Sequence, residues 1–101
     1  LLTMPTSDLH AVLFTKEGCP PCNAVKTHLA DLIESRAHTV DYISTLKKEN
    51  HQALVEAYDL KLYPTLLIVD RNGEEQDRLI GGQLIKDNLA GLLRALQMLD
   101  Q

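Results

Sequence analysis

Apolar residues run without interruption from Ala11 to Phe14, inside a segment from Leu9 to Thr15. That is the pattern of a strand buried on both faces. Lys16-Glu17-Gly18 ends the run, and from Cys22 onward the period changes. Val25, Leu29, Leu32 and Ile33 recur at helical spacing, while Lys26, Thr27, Asp31 and Glu34 fall elsewhere on the wheel. A second strand is predicted over His38 to Ile43. Ser44 or Thr45 can then cap a second helix that places Ala53, Leu54, Ala57 and Tyr58 on one side. Thr65 to Val69 is β-branched and apolar, Asp70-Arg71-Asn72-Gly73 supplies turn chemistry, and Glu74 to Ile80 is more polar. Together they predict a hairpin whose outer strand tolerates solvent and discourages pairing with other chains. After Gly81-Gly82, the positions Ile85, Leu89, Leu92, Leu93 and Leu96 mark a closing amphipathic helix, with Gly91 costing it about 1 kcal/mol relative to alanine.

The predicted order is β-α-β-α-β-β-α, with no internal repeat, linker or low-complexity tract. A strand-crossover-strand unit followed by a hairpin and helix makes an α/β fold: a mixed four-stranded sheet flanked by three helices. At 101 residues, a single domain over 1-101 is expected, with one site to carry the function. Ten basic against 14 acidic groups, a formal charge of −4, give no reason to expect a nucleic acid or an anionic membrane surface as partner. No stretch approaches the ~20 apolar residues that span a bilayer, and Leu1 to His10 has neither a basic region nor an apolar signal core. A cytoplasmic location is therefore expected.

Two cysteines, Cys19 and Cys22, are the whole inventory. A disulfide between them closes a tiny loop and removes little entropy from the unfolded chain, so it is a poor staple and chemistry is the better explanation. A thiol reacts as its thiolate and needs surroundings that lower its pKa from about 8.5. Cys19 falls at or just before the first turn of a helix, where unpaired N–H groups and the helix dipole favour negative charge. Pro20 and Pro21 suit that place, since proline in the first turn loses no helical hydrogen bond. Positions three apart in that turn lie close together, so Cys22 can reach the Cys19 sulfur and displace a bound partner. Cys19, left at the surface by the preceding loop, is the expected nucleophile. A structural zinc site needs two further ligands, and His10, His28, His38 and His51 stand at no convincing ligand spacing. An inert buried pair fits poorly with the prolines between the cysteines. No metal or organic cofactor is expected.

Two separated segments resemble the thioredoxin and glutaredoxin family across nearly the whole chain. One is Val12-Leu13-Phe14-Thr15-Lys16-Glu17-Gly18-Cys19-Pro20-Pro21-Cys22; the other is Ala57-Tyr58-Asp59-Leu60-Lys61-Leu62-Tyr63-Pro64-Thr65-Leu66, followed by Gly81-Gly82. The resemblance implies a thioredoxin-like fold and a dithiol protein-disulfide reductase. It implies a cis Pro64 facing the cysteine pair, with Tyr63, Pro64, Thr65, Gly81 and Gly82 beside Lys16, Pro20 and Pro21 as the surface that takes the substrate. It further implies disulfide-containing proteins as substrates, thioredoxin reductase or glutathione as electron donor, and a monomer. Features of both branches are mixed. Phe14-Thr15-Lys16 resembles glutaredoxins, in which the lysine matching Lys16 helps hold a glutathione carboxylate, as does Gly81-Gly82. Leu62-Tyr63-Pro64-Thr65 and the long hairpin resemble thioredoxins. The chain departs from both: Leu13 stands where thioredoxins carry a buried aspartate, no tryptophan is present, and Gln83, Leu84 and Ile85 replace the acidic residue that glutaredoxins place after the glycines.

Two other readings belong to different classes: a binding subunit of a larger enzyme in which the dithiol is incidental, and a glutathione-linked iron–sulfur carrier. Lys16 and Lys61 are candidates to raise the thiolate fraction of Cys19, against the plainer reading of solvated surface lysines. Tyr63 either rims the substrate or packs over the cysteine turn, and Tyr58 is read as a core-facing helix residue with its hydroxyl at the edge. His28 lies nearly two helical turns beyond Cys22, too far to act as its base. Asp8, Glu17 and Asp59 are candidate proton acceptors in place of the missing aspartate.

Overall fold

The computed structural model describes residues 9–35 and 40–99. Its elements are β1 (His10–Thr15), α1 (Pro20–Glu34), β2 (Ile43–Lys47), α2 (Gln52–Ala57), β3 (Thr65–Val69), β4 (Glu75–Ile80) and α3 (Gly82–Leu99), with short 3-10 turns at Val40–Tyr42 and Lys48–Asn50. The four strands form one sheet in the order β2-β1-β3-β4. β1 runs parallel to β2 and antiparallel to β3, and β3 and β4 make the antiparallel hairpin. This is the mixed four-stranded sheet with three helices that the alternation of elements predicts.

Side chains alternate across the central strands and build a core on each face. Ala11 and Leu13 of β1, with Leu66 and Ile68 of β3, pack against Val25 of α1 and Ile85, Leu89, Leu93 and Leu96 of α3. On the other face Phe14, Leu67 and Val69 meet Leu60, Val55, Tyr58 and Tyr63. All five residues of β3 are buried, as the uniformly apolar run requires of a strand covered on both sides.

Two local expectations are corrected. The second strand lies at Ile43–Lys47 rather than at His38 to Ile43; of the predicted span, His38 and Thr39 lie outside the described residues and Val40–Tyr42 forms a 3-10 turn. Ser44 and Thr45 consequently sit inside the strand and cap nothing. Parallel pairing with β1, which sets Ala11 against Ile43 and Leu13 against Thr45, decides this register. Second, α2 has only six residues and no side-chain cap. Ala53, Leu54 and Ala57 are exposed; Val55, Tyr58 and Leu60 make the packed face. α1 begins at Pro20, with Cys19 just before its first turn and both prolines inside it, as expected.

Candidate active site

The parallel pairing of β1 and β2 brings the loop after β1 beside the turn after β2, at the carboxyl ends of both strands. That is where open α/β sheets bind ligands. Residues 16–18 cross this edge and deliver Cys19 to the N-cap of α1, in extended backbone (φ −120°, ψ 94°), with Pro20 and Pro21 as the first two helical residues. The Cys19 carbonyl accepts from the Asn23 N–H at 3.1 Å. The Cys19 Sγ fills the side-chain capping role, accepting from the Cys22 N–H at 3.2 Å. Cys19 and Cys22 are joined by a disulfide with Cα atoms 5.2 Å apart.

The expectation of a surface-exposed Cys19 is corrected. Cys19 is 4 % exposed and Cys22 1 %. The sulfur of Cys19 is turned toward Cys22 and its amide, while Pro20 and Pro21 are exposed.

Opposite the helix start lies the loop before β3. The Tyr63–Pro64 peptide bond is cis, and Pro64 is fully buried. Its carbonyl accepts from the Gly81 N–H at 2.9 Å, and the Gly81 carbonyl accepts the first hydrogen bond of α3, from Ile85. Gly81 has φ +102°, a conformation that side chains strain to adopt. Gly82 touches the cysteine turn itself: a Cβ there would stand 3.1 Å from the Cβ of Pro21 and 3.3 Å from its carbonyl oxygen. Thr65 is turned inward, its hydroxyl donating to the Leu62 carbonyl at 2.6 Å. The Gly81 N–H thus ties Pro64 to the start of α3, where Gly82 approaches Pro21 of the cysteine turn, and the Thr65 hydroxyl is directed into the loop.

Charged groups at this edge are mostly neutralised by one another. The Glu17 carboxylate pairs with Lys47, and the Glu17 N–H donates to the Glu49 carboxylate at 3.2 Å. That pairing holds the Lys47 ammonium above the usual lysine range, chiefly through its hydrogen bond to Glu17. Hydrogen bonds from backbone N–H groups hold the Glu49 carboxyl below the usual range. The Lys48 ammonium lies 5.4 Å from the centre of the Tyr63 ring. Burial, with the nearby Glu49 charge, pushes the Tyr63 phenol up, and its hydroxyl has no hydrogen-bond partner among the described residues. Lys61 pairs with Asp59 at 3.2 Å, both largely exposed. Lys16 is exposed.

Of the candidate proton acceptors, Glu17 and Asp59 are therefore exposed and ion-paired, and Asp8 lies outside the described residues. Leu13 is fully buried within the apolar core. Tyr58 follows α2 as its C-cap and is half-buried; its hydroxyl donates to the Gly73 carbonyl, and its ring lies 6.3 Å from that of Phe14. Lys47, Lys48 and Glu49 flank the site without having been singled out in the sequence. Only the parallel alignment of β1 and β2 could have pointed to them, since neighbouring carboxyl ends place their following residues together. Among the described residues, no three or more His, Cys, Asp or Glu side chains are arranged to hold a metal ion, and no helix is long and apolar enough to cross a membrane.

A disulfide-bonded pair at a helix N-cap, at the carboxyl edge of a mixed sheet whose third strand is entered through a cis proline, is the arrangement of a thioredoxin-type redox centre. A family model described as the thioredoxin-like domain matches residues 4–97, and the chain belongs to that family. A mutant thioredoxin from Halobacterium salinarum is 26 % identical, with a TM-score of 0.68 over 88 % of this chain and 74 % of its own. Thioredoxin from Trypanosoma brucei brucei is 18 % identical, with a TM-score of 0.68 over 94 % of this chain and 80 % of its own. Mitochondrial thioredoxin 3 from Saccharomyces cerevisiae is 17 % identical, with a TM-score of 0.64 over 90 % and 81 %. The latter two likenesses concern the fold.

Proposed function

We propose that this protein is a dithiol reductase of disulfides in protein or small-molecule targets, with Cys19 as nucleophile and Cys22 as resolving thiol. The observation that carries the reading is the Cys19–Cys22 disulfide at the N-cap of α1, with the Cys22 amide on the Cys19 sulfur. In the reduced protein the Cys19 thiolate attacks one sulfur of a target disulfide, that S–S bond breaks, and the first target thiolate leaves. Cys22 gives up its proton and attacks the Cys19 sulfur; the mixed disulfide breaks and the second target thiolate leaves. The target gains two electrons, one proton comes from Cys22 and one from solvent, and the protein is left with its internal disulfide. Thioredoxin reductase or glutathione restores the dithiol, in a cytoplasm that keeps thiols reduced, and the protein acts as a monomer.

Leu62, Ile80 and Leu84 are exposed large apolar side chains on the segments that flank the turn, and with Pro20 and Pro21 they suit an apolar stretch of target chain. Tyr63, Pro64 and Thr65 supply the backbone beside which such a stretch would pair. The test is to supply the oxidised protein with NADPH and either thioredoxin reductase or glutathione plus its reductase, using insulin and a small mixed disulfide as targets. Turnover with either system supports the reading. Absence of turnover with both, from folded protein, contradicts it.

A further inference from the structure

β1 and β2 run parallel, and Thr15 opposite Lys47 is their last paired position. Beyond it the two backbones part: residues 16–18 lead to Cys19 at the start of α1, while Lys48–Asn50 winds into a 3-10 turn. A parallel ladder that ends in this way leaves backbone N–H groups without their next carbonyl. Here a side chain supplies an acceptor. Glu49 stands two residues past Lys47, as Glu17 stands two past Thr15, and the Glu49 carboxylate accepts from the Glu17 N–H at 3.2 Å. The Glu17 carboxylate in turn pairs with Lys47. Two contacts therefore join the loop before Cys19 to the end of β2.

Lys48, between those two partners, reaches the other loop of the site. Its ammonium lies 5.4 Å from the centre of the Tyr63 ring, within cation–π range, and Tyr63 immediately precedes Pro64. The Tyr63 side chain packs against the cluster of Phe14, Leu60, Leu67 and Val69, so Lys48 bears on a ring that is itself held. The same loop is tied to the start of α3 by the Gly81 N–H on the Pro64 carbonyl. Three consecutive residues thus engage both the loop that leads to the nucleophile and the loop beside which a target chain would pair. All three are exposed, and exposed ion pairs add little to folding stability. What such contacts can do is fix geometry, on which reaction rates depend steeply.

We propose that the Lys47-Lys48-Glu49 turn sets the spacing between the cysteine loop and the Pro64 loop, with Lys48 and Glu49 as positioning residues for target chains long enough to lie across both. The inference rests on the proposed reductase reading. A polypeptide target engages the two loops at once and depends on their spacing. A small disulfide meets the Cys19 sulfur alone and depends on it much less. The turn therefore favours polypeptide over small-molecule disulfides, without touching the reacting sulfurs.

The experiment compares the full chain with Glu49→Ala, Glu49→Gln, Lys48→Met and Lys48→Arg, each folded by urea unfolding. Reduced protein is mixed with excess insulin or hydroxyethyl disulfide and quenched in acid, and the oxidised protein formed in a single turnover is counted by mass spectrometry. Glu49→Ala and Lys48→Met should each lower the rate constant with insulin about fivefold and that with hydroxyethyl disulfide less than about twofold. Glu49→Gln keeps an acceptor oxygen for the Glu17 N–H, and Lys48→Arg keeps a cation over the Tyr63 ring, so both should restore most of the insulin rate. The two truncations change the local charge in opposite senses. Steering by charge would move their insulin rates in opposite directions, whereas lost spacing lowers both. Amide hydrogen exchange of the oxidised protein reads the clasp directly: the Glu17 N–H should exchange faster in Glu49→Ala than in wild type, with Glu49→Gln between. Insulin rates that move in opposite directions overturn the inference, as do equal losses with both disulfides or Glu17 exchange that is the same in Glu49→Ala and wild type. Each of these leaves the reductase reading standing, because wild type still reacts; a wild-type protein that reduces neither disulfide contradicts that reading and the inference with it.

Discussion

The two long helices lie on the same face of the sheet and are anchored in opposite ways. α3 buries Ile85, Leu89, Leu93 and Leu96, a stripe along most of its 18 residues. α1 buries only Cys22 and Val25, both near its N-terminal end, although it is 15 residues long. Core burial of a large aliphatic side chain stabilises by about 1.5 to 3 kcal/mol, so α3 contributes far more to holding the sheet's face together. α1 is fixed most firmly where its cysteines are. Both helices share the core on that face, and their first turns meet where Gly82 at the start of α3 admits Pro21 at the start of α1. One helix is a structural support and the other presents a reactive end, and the difference can be broken experimentally from either side.

The largest separation is expected between Cys19→Ser and Leu89→Ala. Cys19→Ser should abolish insulin reduction while leaving the urea midpoint of the reduced protein close to that of reduced wild type. Leu89→Ala should cost about 2 to 5 kcal/mol in urea unfolding through the cavity it leaves in the core, and keep wild-type turnover wherever it remains folded. Residual turnover of the serine variant at wild-type level would remove α1's claim to the chemistry. Truncation on the other helix should be milder: Leu32 is half-buried, and Leu32→Ala should cost under about 2 kcal/mol by the same unfolding measurement. A cost equal to that of Leu89→Ala would show that the two helices share the load.

The meeting point gives a third prediction. Gly82→Val forces side-chain atoms against the ring and carbonyl of Pro21, and overpacking of this kind costs about 1 to 3 kcal/mol. Thermal unfolding of the oxidised protein should report it, and an unchanged midpoint would mean that the helix ends do not bear on one another.

The smallest expected effect is a pH dependence on the strand beneath them. His10 contacts the Ser44 hydroxyl at 2.8 Å, and burial lowers its pKa below the ordinary 6.5. The unfolded chain then takes up this proton first as pH falls. Stability is undiminished above pH 6.5 and declines as the pH drops through 6.5 toward the lower folded value. His10→Asn should flatten urea midpoints between pH 7 and 5 relative to wild type; an identical slope would assign the dependence elsewhere.

What could be read in the sequence follows the same division. α3 and β3 were legible because their apolar residues repeat with the period of their own element and are buried as that period requires. The cysteine turn was legible because three-residue spacing and two prolines specify a helix start locally. β2 was not. It is an edge strand with two apolar residues, Ile43 and Leu46, among Ser44, Thr45 and Lys47, and its register is set by β1, some thirty residues away in sequence. The same long-range pairing brings Lys47 and Glu49 to Glu17, which is why the charged border of the site was missed. The face of α2 was misread because six residues are too few for periodicity to choose between Leu54 and Val55, and the packing of Tyr58 and Leu60 decides it.

The assignment of roles at the cysteine pair is tested most directly by trapping. Reduced Cys22→Ser and Cys19→Ser proteins are each mixed with a disulfide substrate, and the products are mapped by mass spectrometry under acid. Cys22→Ser should accumulate a mixed disulfide on Cys19, and Cys19→Ser should stay largely unmodified. An adduct forming on Cys22 at a comparable rate would contradict the account.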